Sequence, residues 1–502
     1  MKHGAAGVCS GHVGLEPGFE LRLMMARIIH WFRRDLRIND NSSLYSACQQ
    51  ASEVMPVYIV SKWKGTHPWT GANRQEFLCG CLESLARNLE QIGGRLIVRS
   101  GSPVEELVRL AHETRAEAIY LSENYSPYDR AIEKQLRDAA NAKGIQVRAF
   151  RDTVILAPSE VLNHKGEAFR VFTPYAKAWQ QHTKPPLTPK VGRLATPSDV
   201  QSDPLPTLAH WDMRSEAQIL PAGEKAGRDR LKQFLRSAIY GYASQRSNLS
   251  ASGTSRLSQD LRFGTISPRE ILAACEKLVG ECSAAQRRGI HTFINELVWR
   301  EFYFQILWHF PHVLDRDFRP EFSGLQWDLD PAKLQRWGEG LTGFPIVDAG
   351  MRELNATGYM HNRVRMIVAM FLTKDLHLDW RQGEKYFMRK LVDGDIPANN
   401  GGWQWSAGTG ADAAPYFRIQ NPWTQTADYD PDGEYIKRWV PELRDVDPTR
   451  FTRPPEEKLA PGYPLPMVDH ARERQVALER FRSATKFSQR DELKRPAGRE
   501  KV

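Results

Sequence analysis

Between residues 27 and 150, short apolar runs alternate with amphipathic stretches. Ile28–Phe32, Val54–Val60, Leu96–Arg99, Ala118–Ser122 and Gln146–Phe150 read as buried strands. Helical periodicity occupies 72–91, 103–114 and 128–143, the second opening on Ser102-Pro103, a capping serine before a first-turn proline. This alternation predicts an α/β N-terminal domain over residues 26–155. Its core is a Rossmann-like parallel five-stranded sheet, covered on both faces through right-handed crossovers. No GxGxxG follows the first strand, so a dinucleotide site there is not supported. The strand runs instead into FRRDLRINDNSSL (32–44), which as plain chain is a solvated turn with Arg33, Arg34 and Arg37 salt-bridged to Asp35 and Asp40.

Pro185, Pro186, Pro189, Pro197, Pro204 and Pro206 break any helix, and residues 156–225 are expected to be a long interdomain linker wrapped over the surface. From 226 to 480 the pattern is helical without a repeat, which predicts an irregular all-α domain. Residues 481–502 form a charged tail, expected to extend one helix before fraying, and residues 1–25 have no signal-peptide core and are expected to be a disordered leader or an artefact of start-codon choice. At 502 residues, more than one core is required.

Composition narrows the function classes. Fourteen tryptophans suit a chain that handles a planar cofactor, and equally suit large helical cores. A net charge of +9 favours an anionic partner such as nucleic acid. The six cysteines show no CxxC and no ligand pairing, so reduced thiols in a cytosolic protein are expected, with no metal site. No apolar run reaches membrane-spanning length, and no membrane association is expected.

Candidate chemistry concentrates in DGDIPANNGGWQW (393–405). Asp393 and Asp395 can accept hydrogen bonds or fix an arginine; Asn399 and Asn400 can meet a ring edge; Gly401 and Gly402 let the backbone turn and let something flat come close; Trp403 and Trp405 bring π-surfaces. A glycine-rich loop with two core tryptophans is the plainer alternative. In GTSRLS (253–258), hydroxyls around one arginine suit a pyrophosphate, or a helix N-cap. In HNRVRM (361–366), Asn362, Arg365 and Met366 share a helix face. In ELVWR (296–300), Glu296 and Trp299 share a face, and Glu296–Arg300 is a possible i,i+4 pair.

These stretches resemble blocks of the DNA photolyase/cryptochrome family, as do TSRLSQDLRFGTISPREI (254–271), GFPIVDAGMRELNATGYMHNRVRM (343–366), DLHLDW (375–380) and AAPYFRIQNP (413–422). The resemblance spans roughly residues 27–475 in the family's order, and within the family it points to bacterial class I cyclobutane pyrimidine dimer photolyases. It implies an FAD-binding helical domain holding FAD, active as FADH⁻. Tyr242, Thr254, Ser255, Arg256, Leu257 and Ser258 would hold the phosphates; Arg365 would pair with Asp393; Asp395 would bind the isoalloxazine edge and Asn399 would face N5. Glu296, Trp299, Arg300, Asn362, Met366 and Trp405 would meet a flipped-out dimer, with Arg246, Arg363 and Arg418 on a basic rim, and Trp403, Trp380 and Trp327 would relay electrons inward.

The implied activity is light-dependent repair of UV-damaged DNA, double- or single-stranded, by a cytoplasmic, nucleoid-associated monomer. The rival is a cryptochrome photoreceptor signalling through a protein partner; Asn399, Glu296, Met366, Trp405 and the short tail favour repair. The resemblance also implies a second antenna chromophore in the first domain. Ser126 stands where folate-binding members carry glutamate, a departure that counts against folate and leaves a deazaflavin, a second flavin such as FMN, or an empty site open.

Overall fold

Alternate residues of the first strand enter opposite apolar layers: Ile28 and Phe32 one, Ile29 and Trp31 the other. Burial on both faces explains why the strands read as nearly continuous apolar runs. The computed structural model describes residues 25–61 and 67–494, with side chains through residue 485; the expected leader and the end of the tail lie outside the described residues. Strands β1 (Met25–Phe32), β2 (Ala51–Val60), β3 (Ile97–Ser100), β4 (Ala118–Ser122) and β5 (Gln146–Phe150) form one parallel sheet in the order β3-β2-β1-β4-β5. Helices α1 (Ser42–Gln50) and α2 (Ala72–Glu90) cover one face through Leu44, Ala47, Phe77 and Leu82. Helices α3 (Pro103–Thr114) and α4 (Pro127–Asn141) cover the other through Leu107, Leu110 and Leu136. Helix α1 has too short an apolar stripe to stand out in the sequence; Asn41 starts it by accepting from the Leu44 amide at 2.9 Å.

The polar run after β1 is not a solvated turn. Arg37 is fully buried, and its guanidinium donates to the carbonyls of Asp40 (2.8 Å), Asp152 (3.0 Å) and Gly264 (3.1 Å). Asp40 accepts from Arg269 at 2.9 Å, and Leu36 N–H donates to the Phe263 carbonyl at 3.2 Å. The run is polar because it forms a seam with the helical half, where backbone groups must be satisfied without water. Burial alone would raise the Asp35 carboxyl, but His30, the Arg33 amide and Ser122 hold it down at about 2.

The expected linker is partly structured. Helix Phe172–Gln181 lies within it, and residues 183–207 form a strap that hydrogen-bonds to the α/β half. Val54 N–H donates to the Ala195 carbonyl and Asp203 N–H to the Val98 carbonyl, both at 2.8 Å, and Val98 N–H donates to Ser202 Oγ at 2.9 Å. The buried side chains of Val191, Leu194 and Val200 seat the strap on the domain.

Beyond Phe150 the described elements are helical. The largest core unites helices Pro345–Thr357, Asn362–Met370, Trp380–Lys390 and Ile396–Ala407 through Val347, Met351, Val364, Val368, Phe387 and Trp403. The last helix, His470–Lys494, seats Phe481 and Ala484 on Phe322 and Leu325.

Gly264 has φ +67°, and a Cβ there would lie 1.8 Å from the Arg34 carbonyl oxygen. Gly264→Ala is expected to open the seam and lower stability by more than about 2 kcal/mol, read as a lower denaturant midpoint; an unchanged midpoint would show that the seam carries no stability.

Candidate functional site

A cavity of about 510 Å³ opens in the helical half. Its lining comes from helices Ala238–Gln245, Ser258–Phe263, Ala284–His309, Asn362–Met370 and Ile396–Ala407 and from the loop at 391–395. The stretch 396–407, expected as a glycine-rich loop, is a helix. Asp395 stands at its N-cap, a proline occupies its first turn, and Gly408 at φ +88° ends it. Its internal glycines are helical and make no turn. A Cβ on Gly401 would lie 2.0 Å from the Tyr303 ring, while one on Gly402 meets nothing within 4 Å and would project into open cavity.

The two acids at the loop are held differently. Arg365 grips Asp393 with both terminal nitrogens, at 3.2 and 2.8 Å, and donates to the Met360 carbonyl at 2.8 Å. This is a bidentate charge-assisted pair. Asp395 accepts from Arg34 of the N-terminal half at 2.7 Å, and its other oxygen, Oδ1, is buried without a partner. Burial would push this carboxyl up, but Arg34, then Arg262 and Arg300, hold it below the ordinary carboxylate range. Asn399 donates one amide N–H to the Glu384 carbonyl at 3.1 Å, leaving its oxygen and its second N–H to offer the cavity. Asn400 turns away from the cavity and ties the Val313 carbonyl (2.9 Å) to Glu384 (3.0 Å), whose carboxyl burial pushes up to about 7.

Tyr242, Thr254, Ser255, Leu257 and Ser258 line one side of the cavity. Arg256 does not. Its backbone is left-handed, at φ +53°, and its guanidinium sits 3.6 Å over the Tyr359 ring. Arg246, Glu296, Trp299, Arg300, Asn362, Arg363, Met366 and Trp405 line the cavity as well. The i,i+4 pair is absent: Glu296 bonds Arg246, and Arg300 turns inward to donate to the Thr153 carbonyl at 2.9 Å. Arg300 thus lies on the Asp395 side of the cavity, not on a rim. Burial pushes the Glu296 carboxyl up, against the pull of Arg246. Trp299 stacks on Phe172 at 3.7 Å and 5°, so one face of its indole is already used. Arg363 donates to Ser247 Oγ at 3.2 Å, and Arg418 is exposed outside the cavity lining.

Trp403, Trp380 and Trp327 share one apolar core beside the cavity. Trp403 lines it; Gly383 packs against the Trp403 ring so closely that a Cβ there would lie 2.1 Å away. The helix bearing Gly383 begins with the fully buried Trp380, whose indole N–H donates to Asp317 at 2.8 Å. The half-buried Trp327 packs against the same core.

The lining suits a long dinucleotide ending in a flat ring: hydroxyls on one side, apolar Phe387, Leu391 and Trp403 on another, an open glycine, and a charged carboxylate oxygen without a partner. FAD fits this donor and acceptor set. Four contributors escaped the sequence: Arg34, Phe172, Glu384 and Trp337, whose ring meets Trp403 edge-on at 6.1 Å. Phe172 and Trp337 gave no signal, while Arg34 reads as bridging the nearby Asp35 and Asp40 and instead takes Asp395. Ser126 caps α4 by accepting from the Asp129 amide at 3.1 Å. No group of His, Cys, Asp and Glu among the described residues could hold a metal.

Residues 28–192 match the family model for DNA photolyase, and residues 293–483 match that for the FAD binding domain of DNA photolyase. The chain is 38% identical to the deoxyribodipyrimidine photo-lyase of Escherichia coli (strain K12), over 91% of this chain and 98% of that one. It is also 38% identical to the enzyme of that name from Halobacterium salinarum, over 91% and 99%. Among solved structures, a bacterial class III photolyase from Agrobacterium tumefaciens superposes with TM-score 0.86 at 36% identity, covering 93% of this chain and 100% of that one. A cryptochrome from Synechocystis sp. PCC6803 gives 0.83 at 26%, covering 91% and 99%.

Gly402→Val is expected to fill the cavity from its wall while leaving the fold intact. The purified variant should lose visible flavin absorbance and keep its far-ultraviolet circular dichroism; retained flavin would exclude ring binding against this helix.

Proposed function

The chain belongs to the DNA photolyase family, and on that premise we propose that it is a deoxyribodipyrimidine photo-lyase, a light-driven enzyme that splits cyclobutane pyrimidine dimers in DNA. The strongest support is that the side chains suited to a flavin and those suited to a lesion line one continuous cavity. When bound, reduced FAD would supply the light-released electron that drives opening of the two cyclobutane bonds.

The chain's share is binding, orientation and electrostatics. Tyr242, Thr254, Ser255 and Ser258 would hold the phosphates, and Asp395 would take the ring edge. The Arg365–Asp393 pair fixes the loop between them. Trp299 offers its uncovered face, and with Trp405 forms a wall for extruded bases. Glu296, whose carboxyl burial pushes up against the pull of Arg246, lines the cavity where it can hydrogen-bond a pyrimidine edge. Arg246 pairs with Glu296 through one carboxylate oxygen, leaving the other for a ligand. Trp403, Trp380 and Trp327 form the inward electron route for a flavin that has become oxidised.

Double- or single-stranded damaged DNA is the partner, bound mainly through phosphates and so weakened by salt. The enzyme acts as a monomer in the cytoplasm, beside the nucleoid. A second antenna chromophore sits in the α/β domain. The archaeal photolyase from Sulfolobus tokodaii, solved with two FAD molecules, superposes with TM-score 0.79 at 32% identity, which supports a flavin among the candidates.

The deciding measurement is recovery of thymine absorbance from a thymine-dimer oligonucleotide, with the reduced protein, in light and in darkness. Light-only recovery is expected. No recovery from flavin-loaded, reduced protein would overturn the repair reading and favour a photoreceptor. Glu296→Ala is expected to lower repair per absorbed photon several-fold while changing DNA affinity less; an unchanged photon yield would remove Glu296 from the chemistry.

A further inference from the structure

The loop that carries Asp393 and Asp395 is clamped from the other domain. Arg34, which follows β1, reaches Asp395 across 361 residues of sequence and places Nη2 2.7 Å from Oδ2. The Arg34 Nε donates to the Arg262 carbonyl at 3.3 Å, and Arg262 in turn donates to the Gly394 carbonyl at 3.0 Å. From α2, Arg74 donates to the carbonyls of Met388 and Leu391 and lies so close beneath Gly394 that a Cβ there would be 2.5 Å from its Nη1. Against this bracing, one atom is left over. Asp395 Oδ1 is buried, belongs to a residue lining the cavity, and has no hydrogen-bond partner.

We propose that Arg34 is a positioning residue of the flavin site: by holding Oδ2 of Asp395 it fixes Oδ1 as the acceptor for the imide N–H of the flavin ring. The cofactor site is then completed only when the two domains dock, although every residue that would touch the ring belongs to the helical half. This rests on the cavity being the FAD site. A buried carboxylate keeps its charge only with cations nearby. Those facing Asp395 are Arg34, Arg262, Arg300 and, from beneath, Arg74; the acids near them are Asp393, which Arg365 neutralises, and Asp129, which lies near Arg262. Burial pushes Asp395 up and these arginines hold it down, with Arg34 the largest single contributor. A depressed carboxyl stays charged as pH falls toward its lowered pKa. Without Arg34 its titration moves upward, and the acceptor is lost at a higher pH.

The test uses the full chain, stripped of flavin and titrated with FAD by fluorescence quenching at about pH 8 and about pH 5.5, which bracket a carboxyl released upward from its usual range. Wild-type affinity is expected to be similar at both. Arg34→Gln is expected to bind FAD about tenfold more weakly at the higher pH, and to weaken further at the lower. Arg34→Lys is expected to recover most of the loss and to leave a small, pH-dependent remainder. A plain domain staple would lower the melting temperature without creating a pH-dependent affinity. Arg34→Gln that binds FAD like wild type, or is weakened equally at both values, overturns the proposal. Should Arg34→Gln fail to fold, Arg34→Lys alone decides. A point charge that cannot reproduce the guanidinium geometry should leave a small, pH-dependent loss, and an unchanged profile together with an unchanged affinity overturns the role. Wild-type protein that takes up no FAD at either pH refutes the flavin assignment itself, and the proposal with it.

Discussion

The fold depends on keeping buried guanidinium groups satisfied along the seam between its two halves. Arg37 is sealed from solvent and spends its donors on backbone carbonyls of both domains. Arg269 answers it from the helical half, bonding Asp40 at 2.9 Å and Asp152 at 2.8 Å. An uncompensated buried charge costs several kcal/mol, so such groups tolerate few alternative geometries. The sheet and the helical bundle each have their own apolar core, but their relative placement is set by these polar contacts, which are directional where apolar contact is not.

The same physics sorts the carboxyls around the cavity by role. Asp395 is surrounded by arginines and is held charged, whereas Glu296 and Glu384 are pushed toward neutrality because burial outweighs their partners. The cavity therefore meets a fixed negative acceptor at Asp395, while burial and Arg246 pull the Glu296 carboxyl in opposite directions. The tryptophans divide similarly. Trp299 has committed one face to Phe172 and keeps the other for a ligand, while Trp380 is closed on all sides and anchored through its N–H.

Much of this was legible in the sequence wherever the signal was local. The five strands, the α2–α4 pattern, and the shared face of Asn362, Arg365 and Met366 follow from period and spacing. The Arg365–Asp393 pair came from family wording, and the geometry is as that wording implied. Signals that depend on partners far along the chain were misread. Glu296 had a cation four residues on and took Arg246 instead. Arg256 sat among hydroxyls, yet its left-handed backbone and the Tyr359 face carry it elsewhere. The pair Gly401-Gly402 looked like a turn because glycine is costly inside a helix. Only the Tyr303 ring and the open cavity, neither visible in sequence, explain why the helix accepts that cost.

The proline-rich strap has a consequence for where the α/β half can be cut. Strand β3 ends the sheet, and its outward backbone groups at Val98 are taken up by Ser202 and Asp203. An unpaired strand edge is a template for pairing with another chain. A fragment stopped after β5 would leave that edge bare and tend to self-associate through it, whereas one carried past Asp203 would bring its own cover. The prolines that disqualify the strap as a strand suit it to this task, because residues without an N–H do not offer the next chain a ladder to extend.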